Sequence, residues 1–310
     1  MTPLHVVLAG SSGFLGTHLR HELERRGHRV TALVRREPRS DTESSWDPAN
    51  GAIDAAVIGD ADVVVNLAGS PTLGNPHSGR WARELEESRV STTTLLAETV
   101  AAVATPPTFL AGNGISWYGD HGDADLTEDA DTRGHALLTR VTRAWEAAAR
   151  PAVAAGARVC VLRTAPVMDR RSAPLSQLRL LFRAGLGGRL GSGEQYMPMI
   201  SLRDWVGAVA FLAEHPIAAG RFNLSTEHAP TNREFTRELA AQLHRPAIAS
   251  VPSVVLKAAA GPMAPELLGS VRAVPAALME AGYRFADPDV ESVLASGLAG
   301  LDADSVPLSS

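Results

Sequence analysis

The chain is poor in three residue types that polar chemistry often draws on. Among 310 residues there is a single cysteine, Cys160, and a single lysine, Lys257, so 28 of the 29 basic residues are arginine. There are three tyrosines, Tyr118, Tyr196 and Tyr283. One cysteine excludes an internal disulfide and a cysteine-rich zinc site, and no metal-ligand spacing is found elsewhere. In the buried strand where it sits, Cys160 reads as a small core residue rather than a nucleophile. A formal net charge of −5 leaves no basic footprint for a nucleic-acid backbone. No apolar run approaches the roughly 20 residues that span a bilayer, and Met1-Thr-Pro-Leu-His5 does not read as a signal peptide. With 45% apolar and 20% charged residues, the chain is expected to be globular and cytoplasmic.

What is present begins at once. Leu4–Ala9 is a short apolar, β-branched run, followed by Gly10-Ser11-Ser12-Gly13-Phe14-Leu15-Gly16, with glycines at spacing three and three. Leu15, Leu19 and Leu23 then recur every four residues up to Gly27, and Arg29–Val34 forms a second strand-like run. A strand, a glycine turn, a helix and a strand within about 30 residues is the context in which such glycines bind a dinucleotide. The first allows a tight turn, the second lets backbone approach a pyrophosphate, and the third packs helix on sheet. The helix end offers its unpaired amides to the anion. Where an NAD site would place an acidic residue, the chain has Arg35 and Arg36. Guanidinium groups attract a 2′-phosphate, so NADP(H) is the expected cofactor, with Ser11 and Ser12 as further donors.

The same pattern continues. Asp62–Gly69 is a buried strand running into Asn66-Leu67-Ala68-Gly69, which could cover part of the cofactor. Pro107–Ala111 leads to Gly112–Gly119, a long helix is expected from Trp81 to Val103, and Arg158–Arg163 is a further strand. Alternation of strands and helices predicts a Rossmann-type doubly wound parallel sheet, with cofactor and substrate meeting at its C-terminal edge. We expect the NADP-binding domain to take residues 1–165 and 201–245. A smaller C-terminal α/β substrate-side module would take 166–200 and 246–297, and 298–310 a flexible tail.

The glycine turn, Asn66-Leu-Ala-Gly69 and the Trp117-Tyr118-Gly119 step resemble the extended short-chain dehydrogenase/reductases. Further segments make the chain similar to their atypical, sugar-nucleotide-epimerase-like branch, which carries its own C-terminal domain. These are Arg80-Trp81 with Ser88-Arg89, Trp145-Glu146, the glycine-rich stretch from Gly185 to Gln195, Phe222–Ser225 and Pro230–Phe235. Val251-Pro252, Glu266–Ser270, Val274-Pro275, Leu278 and Ala281–Phe285 carry the likeness through the C-terminal part, so that it covers about residues 4 to 297. The resemblance implies a tyrosine acid/base with a lysine four residues later, the cation lowering the tyrosine pKa. The residue inventory forbids that pair here: Trp145-Glu146 sets a register that places Leu138 and Thr142 at the two positions. The serine or threonine expected before the Tyr-Gly step is replaced by Gly114, beside Asn113, and the usual Trp-Ile-His is Met199-Ile200-Ser201.

Tyr118, Ser116 and Asn113 are the remaining catalytic candidates, with His135 a more remote one. Gly185–Gly193 is expected to act as a lid, Gln195 and Tyr196 as substrate contacts. Arg163, Arg179, Arg183 and Arg189 could recognise an anionic substrate. Two readings remain open: an NADP(H)-dependent oxidoreductase or epimerase-like enzyme acting on an unknown small molecule, or a catalytically inactive NADP(H)-binding regulatory or sensor protein. The intact glycine turn weighs against a third, a scaffold without cofactor. A homodimer is a possible assembly.

Overall fold

The computed structural model describes residues 2–72, 74–247 and 249–300. Eight strands form the central sheet: β1 (His5–Ala9), β2 (Arg29–Val34), β3 (Glu43–Asp47), β4 (Ala52–Ile53), β5 (Val63–Asn66), β6 (Thr108–Gly114), β7 (Val159–Thr164) and β8 (Gly220–Leu224). Their order across the sheet is β8-β7-β6-β5-β1-β2-β3-β4, and every pairing is parallel except β3 with β4. The chain thus runs outward from β1 on one side, then returns to build the other half from β5. Such a reversal leaves a crevice at the carboxyl ends of β1 and β5.

Alternation along β1 explains why its five residues are all buried. Val6 and Leu8 face one apolar cluster with Leu19 and Leu23 of helix α1 (Phe14–Arg25). Val7 and Ala9 face a second cluster, with Leu96, Ala97 and Val100 of helix α2 (Gly79–Ala102). Both faces are covered by helices, as an all-parallel strand requires. Helix α3 (Leu137–Ala147) flanks β6, and helix α4 (Leu202–Glu214) packs on α1. No helix among the described residues is long and apolar enough to cross a membrane.

Three small parallel pairings organise the substrate-side module: Gly188–Leu190 with Ala249–Val251 inside it, Val167–Met168 with Ile200–Ser201 at its boundary, and Asp125–Leu126 with Arg272–Ala273, which joins it to the core. Two boundaries differ from expectation. Helix Asn232–Leu243, placed in the dinucleotide domain by its sequence position, buries Phe235 and Leu239 against Leu175, Phe182, Val293 and Leu294 of the other unit. The last helix, Val290–Ala299, runs past Leu298 and ends at Gly300 in the left-handed conformation, so 298–300 are folded rather than tail. Residues 301–310 lie outside the described residues.

Asp204, in the first turn of α4, fastens the C-terminal segment. Its carboxylate accepts from the Tyr283 hydroxyl at 3.0 Å and from the amides of Ala286 and Asp287 at 2.9 and 2.8 Å. Replacing Asp204 with Ala leaves those buried donors without an acceptor, at roughly 1–3 kcal/mol each. The Asp204→Ala variant is therefore expected to lose about 3 kcal/mol or more in urea unfolding. A loss below about 1 kcal/mol would remove Asp204 from this role.

Candidate functional site

The glycine turn has the geometry its spacing implied. Gly10 sits at φ +83°, and a Cβ there would stand 2.7 Å from the carbonyl carbon of Leu67. A Cβ on Gly16 would run into the Gly10 carbonyl, so the third glycine lets α1 close onto the turn. The Gly13 amide donates to the Gly10 carbonyl at 3.0 Å, and the Thr17 hydroxyl donates to the Ser11 carbonyl at 3.2 Å. Gly13 is the N-cap of α1 with no side chain capping it, while Ser12 and Gly13 are exposed and Ser11, Phe14 and Leu15 are half-buried. The uncapped N-terminus of α1, flanked by the Ser11 and Ser12 hydroxyls, is where a helix end favours an anion.

The β5 loop closes the other side of the crevice. Leu67 donates its amide to the Ala9 carbonyl at 3.0 Å, tying the loop to the end of β1. Asn66 is fully buried: its Oδ1 accepts from the Ala68 amide at 3.0 Å and its Nδ2 donates to Thr93 Oγ1 at 2.8 Å. Thr93 also accepts from Trp145 Nε1, which locks the loop to α2 and α3. Exposed Gly69 lies against Arg89, whose guanidinium donates to the Leu85 carbonyl and Thr72 and sits 5.1 Å from the Trp145 ring centre. Burial pushes the Arg89 pKa down to about 10, and among the described residues no carboxylate pairs with it.

The two arginines ending β2 are not equivalent. Arg36 makes a bidentate pair with Glu43 on β3, at 2.6 and 2.8 Å, and the Arg36 guanidinium holds the Glu43 carboxyl down at about 2. Arg35 is exposed and makes no hydrogen bond or ion pair among the described residues. Glu43 was missed in the sequence, although its place seven residues after Arg36 was visible.

The catalytic candidates divide in a different way from expectation. Tyr118 is a correction. It is 0% exposed, and its hydroxyl is enclosed by Asn223 Oδ1 at 2.8 Å, the Thr127 carbonyl at 3.0 Å and the donating Arg163 Nη1 at 3.0 Å. Burial pushes its hydroxyl above the usual tyrosine range, against the pull of Arg163. With its bonding capacity filled, it is a packing hydroxyl rather than a proton donor to substrate. Asn113 is likewise committed: Nδ2 donates to the Thr142 carbonyl at 3.1 Å and Oδ1 accepts from the Gly114 amide at 2.7 Å. Of the three candidates, Ser116 alone faces a carboxyl, donating at 2.7 Å to Oε2 of Glu266. Glu266 comes from the short helix Ala264–Leu268 and was missed as a site residue. The available signal was its being the one charged residue in the run 258–269.

The remaining expectations resolve structurally. Arg163 is fully buried, ion-paired with Glu146 at 3.0 Å and stacked 3.6 Å from the Trp117 ring centre, so it is closed to substrate. Arg183 and Arg189 are exposed and Arg179 is half-buried, so the three do not form one cationic site with it. His135 is exposed. Gly188–Leu190 of the glycine-rich stretch is a paired strand, and buried Gln195 ties it down by donating to the Leu190 and Leu267 carbonyls. Tyr196 is half-buried, its ring 4.9 Å below the Arg272 guanidinium. Cys160 is buried, and burial pushes its thiol up to about 11.

Comparison with known proteins agrees with this arrangement. Residues 6–225 match the NAD dependent epimerase/dehydratase family, and residues 251–296 match a domain of unknown function, DUF1731. The Epimerase family protein Mb2239 of Mycobacterium bovis is 38% identical over 281 residues, covering 90% of this chain and 93% of its own. The Epimerase family protein SDR39U1 of Bos taurus is 34% identical, covering 96% of this chain and all of its own. The crystal structure of human epimerase family protein SDR39U1 (isoform 2) with NADPH superposes with a TM-score of 0.84 at 30% identity, over 96% of this chain and all of that one. With the dinucleotide-type sheet and the C-terminal module both in place, the chain belongs to the NAD dependent epimerase/dehydratase family.

Proposed function

We propose that the protein binds NADP(H) and acts as an oxidoreductase or epimerase-like enzyme on a small hydroxyl- or carbonyl-bearing molecule, without a Tyr-x-x-x-Lys pair. The observation that carries this reading is the pairing of a tight glycine cradle with an unpaired cation. Gly10 is pressed against Leu67 and Ala68, and Arg35, at the end of β2, has no hydrogen-bond or ion-pair partner among the described residues. The Gly10–Gly16 turn would hold the pyrophosphate, Arg35 the 2′-phosphate with Ser11 and Ser12 nearby, and Leu67–Gly69 the ribose side. The human relative crystallised with NADPH supports the phosphorylated form. A bound nicotinamide dinucleotide supplies a hydride acceptor or donor; the protein must then orient the substrate and handle one proton. An inert sensor would share the cradle, but a carboxyl held beside Ser116 favours turnover.

Arg35 and Arg36 provide the test. Arg35→Ala is expected to weaken NADPH roughly 10–100-fold in a fluorescence titration, the loss of a charge-assisted contact, while NADH is unchanged. Arg36→Ala should weaken it less, because Glu43 already engages that side chain. Equal losses for NADPH and NADH would sink the 2′-phosphate assignment. Tyr118→Phe is expected to cost about 1–3 kcal/mol of stability, by leaving Asn223 and Arg163 short of a partner, and to leave NADPH affinity unaltered. Unchanged stability in chemical denaturation would contradict its packing role.

A further inference from the structure

Three neighbouring strands end at one edge of the sheet. β1 delivers Gly10, β5 delivers Asn66–Gly69, and β6 runs through Asn113 into the short turn Ile115–Trp117. The polar side chains gathered beyond β6 are largely consumed: Asn113 by Thr142 and Gly114, Tyr118 by Arg163 and Asn223, Arg163 by Glu146. The exception is the contact between Ser116 and Glu266, two residues 150 positions apart. The backbone of Leu138, in the first turn of α3, also pulls the Glu266 carboxyl down. A carboxyl from the C-terminal module is thereby held between the end of β6 and the start of α3.

We propose that Glu266, acting through the Ser116 hydroxyl, is the acid/base group of this site and exchanges the proton of a hydroxyl-bearing substrate. The inference rests on the dinucleotide reading above. In the oxidising direction the substrate hydroxyl passes its proton to Ser116 as Ser116 passes its own to the Glu266 carboxylate. As the C–O bond becomes C=O, a bound oxidised nicotinamide dinucleotide would supply the acceptor for the hydride, which leaves with both C–H electrons. Reduction returns the proton from the Glu266 carboxylic acid by the same hydroxyl.

The surroundings suit that exchange. Burial pushes the Glu266 carboxyl above its ordinary value, opposed by the Ser116 hydroxyl and the backbone of Leu138. An acid so placed keeps its proton closer to neutral pH, where a general acid is useful. The charged or titratable groups on the elements packed around it are Asp120, Tyr118, Arg140, Arg143, Glu146, Lys257 and His77, of which Glu146 is paired with Arg163 and Arg221 and Tyr118 is held by Asn223 and Arg163. Asp120 accepts from the amides of Gly122 and Ser270, Arg143 donates to Thr132 and the Gly134 carbonyl, and His77 bonds the Ala259 carbonyl. A purely structural pin between module and sheet would be met equally by a glutamine, which distinguishes the two roles.

The experiment is calorimetric and needs no substrate. NADP⁺ and NADPH are titrated separately into the full chain between pH 5 and 8, each in two buffers of different ionisation enthalpy, so that protons released on binding are counted. The oxidised ring carries a positive charge that the reduced ring lacks, and both carry the 2′-phosphate, whose own titration cancels in the difference. The parent is expected to release up to one proton more with NADP⁺ than with NADPH. This excess should fall off as pH rises past the raised carboxyl value, where Glu266 is already ionised. Glu266→Gln should bind both cofactors with no excess. Ser116→Ala should keep the excess but move it to higher pH, because the hydroxyl that lowers the carboxyl pKa is gone. Equal release by the parent, or an excess that survives in Glu266→Gln, would overturn the proposal. If Glu266→Gln does not fold, an unmoved pH window in Ser116→Ala overturns it instead. Absence of any saturable NADPH heat in the parent rejects the cofactor reading itself, and this inference with it.

Discussion

The buried guanidinium of Arg163 is the constraint around which the candidate site is arranged. A charge at the end of β7 with no exposure is tolerated only when every side of it is answered. Glu146 answers with an ion pair, Trp117 with a stacked face, Tyr118 with a hydroxyl and Glu128 with a backbone carbonyl. Those partners come from α3, from the turn after β6 and from the loop that follows it. Arg221 of β8 also reaches Glu146, at 2.8 Å. Satisfying one cation therefore fixes the relative positions of β6, β7, β8 and α3. Trp117 and Tyr118 are immobilised in consequence, and Ser116 next to them is presented in one place.

The network extends from this cation to the C-terminal segment through neutral groups. Asn223 accepts from Tyr118 and donates to the carbonyls of Leu126 and Val274, while its amide donates to Glu128. Glu128 also accepts from the amide of Ala277, at 3.1 Å. Burial pushes the Glu128 carboxyl up, and the amides of Asn223 and Ala277 pull it back. The segment bearing Glu266 is thus registered against the sheet by groups other than Glu266 itself. That is why the carboxyl can serve chemistry without also having to hold the module in place.

What was legible in the sequence was local, and what was missed was distant. The cradle at Gly10, Gly13 and Gly16 could be read because a strand, a turn and a helix follow each other within one short stretch. The doubly wound parallel class of the sheet followed from the same alternation, but the strands Glu43–Asp47 and Ala52–Ile53 did not. Arg35 and Arg36 are visible in the sequence as a basic pair, but their difference depends on Glu43, which arrives on a neighbouring strand. Tyr118 looked reactive because sequence gives its chemistry and not its burial, and its partner Asn223 lies 105 positions away. Glu266 carried only the faint mark of a lone carboxylate in an apolar run. Helix Asn232–Leu243 was assigned to the wrong unit because position along the chain does not reveal which core a helix's apolar face enters.

The separation of Ser116 from Glu266 along the chain has a consequence for biogenesis. Domains generally form in the order in which the ribosome releases them, amino-terminal parts first. The elements that touch Gly10, namely β1, α1 and the β5 loop, lie within the first 70 residues, while α2, α3 and α4, which hold them in place, follow later in the chain. The hydroxyl–carboxyl contact must wait for the C-terminal module to emerge and dock. During synthesis the glycine turn therefore emerges early and the carboxyl proposed to handle the proton emerges late.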